Sequence, residues 1–168
     1  MNATSLLSLG RCGHEKFTAL AGRAQSPLLL AIRLYWGWEF FLTGKGKLAN
    51  LEQTADFFKG LSIPFPTMNA VLAGTTECAG GLLLLAGLAS RVVAVPLIFT
   101  MVVAYLTADM EAVKGIFSDP DSFVSAAPFL FLLASLLVLV FGPGVFSLDH
   151  LIARKSGLAS PALKAATT

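Results

Sequence analysis

Charge is scarce in this chain: Asp, Glu, Lys and Arg make up 13% of its 168 residues, about half the share of an ordinary soluble domain. That excludes a surface wetted on every side, and a net charge of +2 points to no nucleic acid or other polyanionic partner. Cysteine is nearly missing. Cys12 lies in a polar leader and Cys78 inside an apolar segment, which excludes a disulfide framework and leaves Cys78 as a small buried residue. The only histidines, His14 and His150, lie in the two polar tails without metal-ligand spacing, so no metal or haem is expected. No nucleophile–base set, phosphate loop or cofactor fingerprint occurs, and Thr75-Thr76-Glu77 reads as polar glue within a helix. The first 24 residues are no secretory signal, because LLSL is too short for an apolar core and basic residues follow it.

What is abundant is apolar. Hydrophobic residues reach 55% and the mean hydropathy is +0.75. Four long apolar stretches stand out, at about 26–42, 68–88, 92–108 and 123–141. Each is near the ~20 residues a helix needs to cross about 30 Å of hydrocarbon. Without period-2 alternation a barrel is excluded, and helices alone then satisfy the backbone in lipid. The expected fold is all-α: an integral membrane antiparallel four-helix bundle, with a short amphipathic interfacial helix in the first outer loop. The domain reading is a polar cytoplasmic leader at 1–24, a transmembrane domain at 25–155 and a flexible tail at 156–168.

Prolines and glycines punctuate these stretches. Pro27 suits the first turn of helix one, and Asp119-Pro120 reads as an N-cap and first-turn proline for helix four. Pro128 would bend helix four and Gly142-Pro143-Gly144 would end it. Leu88 to Val92 is a tight link that sets helices two and three side by side. In the long loop from Thr43 to Thr67, Leu48, Leu51, Ala55 and Phe58 recur at helical spacing, as a surface helix that is either a lid or an interfacial anchor. Seven basic residues (Arg11, Lys16, Arg23, Arg91, Arg154, Lys155 and Lys164) flank one side of the spans and four (Lys45, Lys47, Lys59 and Lys114) the other. That bias places both termini in the cytoplasm.

Against this background two charges inside apolar stretches are conspicuous, Arg33 and Glu77. An unpaired ion near the bilayer centre costs from about 3 to above 10 kcal/mol, so a pairing between them is expected. Counted from the span ends, their Cα depths differ by roughly 4–5 Å, and small neighbours around Glu77 would let the helices approach. Three readings of the pair stand side by side: a structural clamp, a polar site for a small lipophilic ligand such as a quinone, or a step in proton transfer. Glu39 is a second carboxylate, about 120° from Arg33 around the helix, within reach of Lys45, Lys47, Thr75 or Thr76. With Tyr35, Trp36 and Trp38 it makes either an interfacial aromatic belt or a flat slot beside Arg33. The candidate ligand-binding residues are therefore Arg33, Glu77, Glu39 and Trp36, with no catalytic residue assignable.

The order of motifs resembles the DoxX family of small bacterial membrane proteins over about residues 27–155. It runs from the early arginine through Thr43-Gly44-Lys45-Gly46-Lys47-Leu48, Ile63-Pro64-Phe65-Pro66 and the Glu77 segment. It continues through Gly87-Leu88-Ala89-Ser90-Arg91 and Gly142-Pro143-Gly144 to Ser147-Leu148-Asp149. The resemblance implies a four-helix bundle in the bacterial cytoplasmic (inner) membrane, with Arg33 and Glu77 matching the family's intramembrane charges. It also implies likeness to the small membrane subunit of thiosulfate:quinone oxidoreductases. The expected role is a redox-linked subunit holding a quinone-type ligand near Arg33 and Glu77, with no intrinsic cofactor, so that electrons would need a partner protein or a bound quinone. The alternative is a non-catalytic structural or accessory subunit. Expected partners are the lipid bilayer, other membrane subunits or a second copy.

Overall fold

The structure, a computed structural model, describes the backbone of residues 3–156 and the side chains of Thr18 and residues 21–156. Among the described residues every regular element is helical. In chain order these are α1 (Ala3–Ala49), α2 (Leu51–Gly60), α3 (Pro66–Ala86), α4 (Ser90–Thr107), α5 (Met110–Lys114), α6 (Pro120–Ser125), α7 (Pro128–Phe141) and α8 (Leu148–Lys155). By length and composition α3 and α4 are each able to cross a membrane. Residues 157–168, most of the expected tail, lie outside the described residues.

α1 departs most from expectation. It passes through Pro27, expected in a first turn, and through Thr43-Gly44-Lys45-Gly46, expected to open a loop. The expected leader boundary at residue 24 also falls within it. At 1.5 Å per residue its 47 residues measure about 70 Å, more than twice the hydrocarbon thickness. The two-glycine segment stays helical because its first glycine serves packing. Contacts climb α1 as they descend α3: Gly37 lies against Gly81 and Leu85, Gly44 against Gly74 and Cys78, and Leu48 against Gly74. A Cβ on Gly44 would stand 2.7 Å from the Gly74 carbonyl, and one on Gly81 2.6 Å from the Gly37 carbonyl. Each helix thus carries two glycines seven residues apart, on one face, and the backbones meet there directly.

α3 and α4 are joined by a tight turn, as expected. Gly87 (φ +67°) and Ala89 (φ +49°) both take left-handed conformations there, which for alanine costs about 1–2 kcal/mol. The core between α1, α3, α4 and α7 is built on Phe40, Leu84, Val93, Leu97, Met101 and Val138. Gly80 admits the Leu97 side chain into the α3–α4 seam.

The fourth apolar stretch, expected as one bent helix over 123–141, is instead broken. α6 begins at Pro120 behind Asp119 as expected, but Ala126 is extended (ψ 140°) and Pro128 starts a new helix, α7. Pro128 has no N–H to continue the ladder. The Phe123 carbonyl freed by the break accepts the Tyr105 hydroxyl at 2.7 Å, and the two rings stack 4.8 Å apart. A backbone carbonyl left without its helical partner needs a protein group of this kind when water is excluded. Gly142 (φ +78°) then terminates α7 where expected.

α2 is the expected amphipathic helix. It packs on α3 and buries Ala55, while Glu52, Gln53 and Asp56 face outward.

Candidate functional site

Arg33 and Glu77 do not meet. Both are buried, but along the α1–α3 seam Arg33 faces Gly87, just past the end of α3 and ten residues beyond Glu77. That is roughly 15 Å of helix. The sequence estimate counted depth from the ends of apolar stretches, whereas α1 runs well past both ends and its register is set by the glycine contacts.

Glu77 pairs instead with Lys47, Nζ to Oε2 at 2.5 Å, with side chains 3% and 30% exposed respectively. Lys47 lies one turn beyond the level of Glu77. A helical side chain leans toward its own N-terminus, so the lysine reaches back to the carboxylate. The pair is therefore a buried anion held by a half-buried cation, next to the Gly44–Gly74 contact.

Arg33 is fully buried at the other end of the seam, by the α3–α4 turn. One Nη2–H donates to the Phe146 carbonyl at 2.5 Å, tying α1 to the segment between α7 and α8. Its guanidinium lies over Gly87, where any Cβ would collide with it and with Ser147. Nε and Nη1 make no hydrogen bond, nor does the buried Ser90 hydroxyl at the start of α4. Asp149 forms no ion pair with Arg33. Its carboxylate accepts the N–H groups of Ala89 (2.7 Å) and Ser90 (2.9 Å), and its own N–H donates to the Gly87 carbonyl at 2.9 Å. One side chain thereby caps α4 and holds the left-handed Ala89 in place.

This junction gathers three motifs that lie far apart in sequence: Arg33, Gly87–Arg91 and Gly142–Asp149. Beside it a half-open groove of about 560 Å³ separates α1 from α8 and the start of α4. Leu29, Val92, Phe141 and Val145 supply apolar wall. Gln25, Ser26, Arg91, Asp149 and His150 supply polar groups. Such a mixture, apolar with a few converging polar groups, is what a small amphiphile needs.

The other two candidates fall elsewhere. Trp36 packs edge-on against Phe131 of α7 at 5.0 Å, and Phe131 also meets Phe40 at 4.7 Å, so aromatic rings fill the expected flat slot. Glu39 is half-buried and makes no ion pair or hydrogen bond among the described residues. Tyr35 and Trp38 are exposed, as belt residues would be. Among the described residues no cluster of three or more His, Cys, Asp or Glu could hold a metal ion. Sequence reasoning missed Lys47, Gly87, Phe146, Ser147 and Asp149 as partners of the buried charges. All but Phe146 lay within the quoted motifs, and nothing linear said which of them converge.

Apolar helices joined by glycine contacts, two of them long enough to cross a membrane, fit a helical membrane protein. The chain belongs to the DoxX family, whose model matches residues 28–110. It is 33% identical over 137 residues to "Uncharacterized membrane protein Rv3486" of Mycobacterium tuberculosis, covering 77% of this chain and 84% of that one. It is 31% identical over 125 residues to "Putative oxidoreductase CatD" of Bacillus subtilis, covering 73% and 85%. It is also 31% identical over 135 residues to "Inner membrane protein YphA" of Escherichia coli, covering 77% and 93%. No solved structure matches it.

Proposed function

We propose that this protein is a redox-linked subunit of the bacterial inner membrane that binds a quinone-type ligand in the groove beside Arg33. The observation that carries the reading is the groove itself. Its apolar wall opens toward the lipid-facing residues Val92 and Phe141, while Arg91 and His150 stand at its polar side. A lipophilic tail would lie along the former and a carbonyl head would accept from the latter. The name of the Bacillus relative supports a redox setting. The α1–α3 interface offers no such room, because glycine backbones close it, so the ligand site moves from between these helices to the turn end. Arg33 then acts as a positioning residue that holds the Phe146–Asp149 wall of the groove.

In this reading the chain crosses the membrane four times, with α6 and α7 together making the fourth crossing and the antiparallel spans packed as a bundle. The turn end faces the cytoplasm with both termini, as the basic residues favour. The test is a short-chain quinone titrated against purified protein, read by quenching of the combined Trp36 and Trp38 fluorescence and by quinone in lipid extracts. Val92→Trp, which fills the groove from its lipid side, is expected to abolish binding while leaving the fold intact. Equal binding by the filled variant, or no bound quinone in either, overturns the reading.

A non-catalytic structural subunit is the second reading. One observation favours it: both buried charges already hold protein groups, Lys47 on Glu77 and the Phe146 carbonyl on Arg33. Stoichiometric co-purification with a larger complex that stays active when Val92 is replaced by Trp would decide for it.

A further inference from the structure

We infer that α8 is an anionic-lipid-binding surface helix, laid into the headgroup layer with its apolar face away from the protein. The orientation is the unusual part. α8 turns Asp149, His150 and Ala153 toward the groove. Leu148, Leu151 and Ile152, spaced i, i+3, i+4 and so on one stripe, face outward and are 41–52% exposed. An amphipathic helix whose small and polar side packs on the fold has its apolar side unpartnered among the described residues.

Three observations identify lipid as the occupant. First, the height of α8 is fixed: Asp149 bonds it to Gly87, Ala89 and Ser90 at the very end of the α3–α4 hairpin, where apolar spans give way to the interface. Second, its apolar stripe continues from the exposed Phe146 just before it, and Phe141 and Val92 add exposed apolar surface at the same end of the molecule. In a membrane protein that surface faces acyl chains. Third, the charges fit a headgroup layer. Arg154 and Lys155 close the helix, and the exposed Arg91 and Arg23 stand at the same end. Lys155 falls at the end of the apolar stripe, where a long stem lies along acyl chains while its ammonium reaches phosphate. Each basic residue near an anionic surface strengthens attraction about five-fold, so the Arg154–Lys155 pair suffices to discriminate anionic from zwitterionic lipid.

The test keeps the whole chain in nanodiscs. With Cys12 and Cys78 replaced by serine, a nitroxide is attached to a single cysteine at Leu151 or, separately, at Ala153. Collision with oxygen, which partitions into lipid, is compared with collision with a water-soluble nickel chelate. In bilayers containing phosphatidylglycerol the label at 151 is expected to sit in the lipid phase and the label at 153, on the groove side, to meet oxygen less often than the label at 151. Arg154→Gln with Lys155→Gln is expected to return the 151 label to water and to erase the preference of spin-labelled phosphatidylglycerol over phosphatidylcholine, by up to about 25-fold. Both replaced residues are exposed, and circular dichroism checks that helix content is kept. A label at 151 that stays water-accessible in anionic bilayers overturns the inference. So does dipolar broadening between labels at 151, which would make the occupant a second copy. Quinone binding plays no part in these readouts.

Discussion

The two buried ions of this protein solve one problem in opposite ways. At the α2 end, Glu77 is neutralised by a lysine that is itself partly exposed, so charge meets charge across a glycine seam. At the turn end, Arg33 meets a backbone carbonyl, keeps two unpartnered donors and forms no ion pair with Asp149. The first arrangement is a closed clamp. The second leaves hydrogen-bonding capacity unspent, beside a groove, where α1 meets the α3–α4 turn and the α7–α8 segment. A buried ion with its full complement of partners is a weaker candidate for function than one without, which is why the proposed site sits at the turn end.

The comparison can be broken at the clamp first. Lys47→Met leaves Glu77 buried without a counter-ion, and a loss of about 3–5 kcal/mol is expected, read as thermal unfolding in mild detergent. Glu77→Gln should cost clearly less, because Lys47 can turn its ammonium toward water. Equal losses for the two would mean that both ends of the pair are equally desolvated. At the turn end Gly87→Ala places a methyl into the Arg33 guanidinium at a positive φ. The expected cost is about 2–4 kcal/mol from strain and overpacking together. Normal melting by that variant would show that Arg33 is free to leave its seat. Asp149→Ala should cost least, about 1–2 kcal/mol for the lost cap on α4. Its sharper readout is faster amide exchange at Ala89 and Ser90, without change around Glu77.

Much of the fold was legible in the sequence. The apolar stretches, the amphipathic α2, the tight turn at Leu88 and the stop at Gly142 follow from hydropathy, periodicity and turn chemistry, all of which are local. The errors share a cause. Gly44, in Thr43-Gly44-Lys45-Gly46, has the local look of a loop, yet its job is to let Gly74 approach from another helix. Pro128 looked like a bend because the Tyr105 hydroxyl that makes a full break tolerable lies elsewhere in the chain. The pairing of Arg33 with Glu77 rested on depths counted along separate segments, and a slip of ten residues in register sends each charge to a different partner.

The composition by itself determined that this is a helical membrane protein with two ions too costly to leave alone, since the free energy of moving charge and backbone out of water depends on residue type and needs no partner to be known. Which partners they take was decided only by tertiary structure. Four glycines set how α1 slides along α3, and that one register assigns Lys47 to Glu77 and Gly87 to Arg33. Register comes from contacts between residues far apart in the chain, such as Lys47 and Glu77 at a separation of 30, and no local pattern in either helix encodes it.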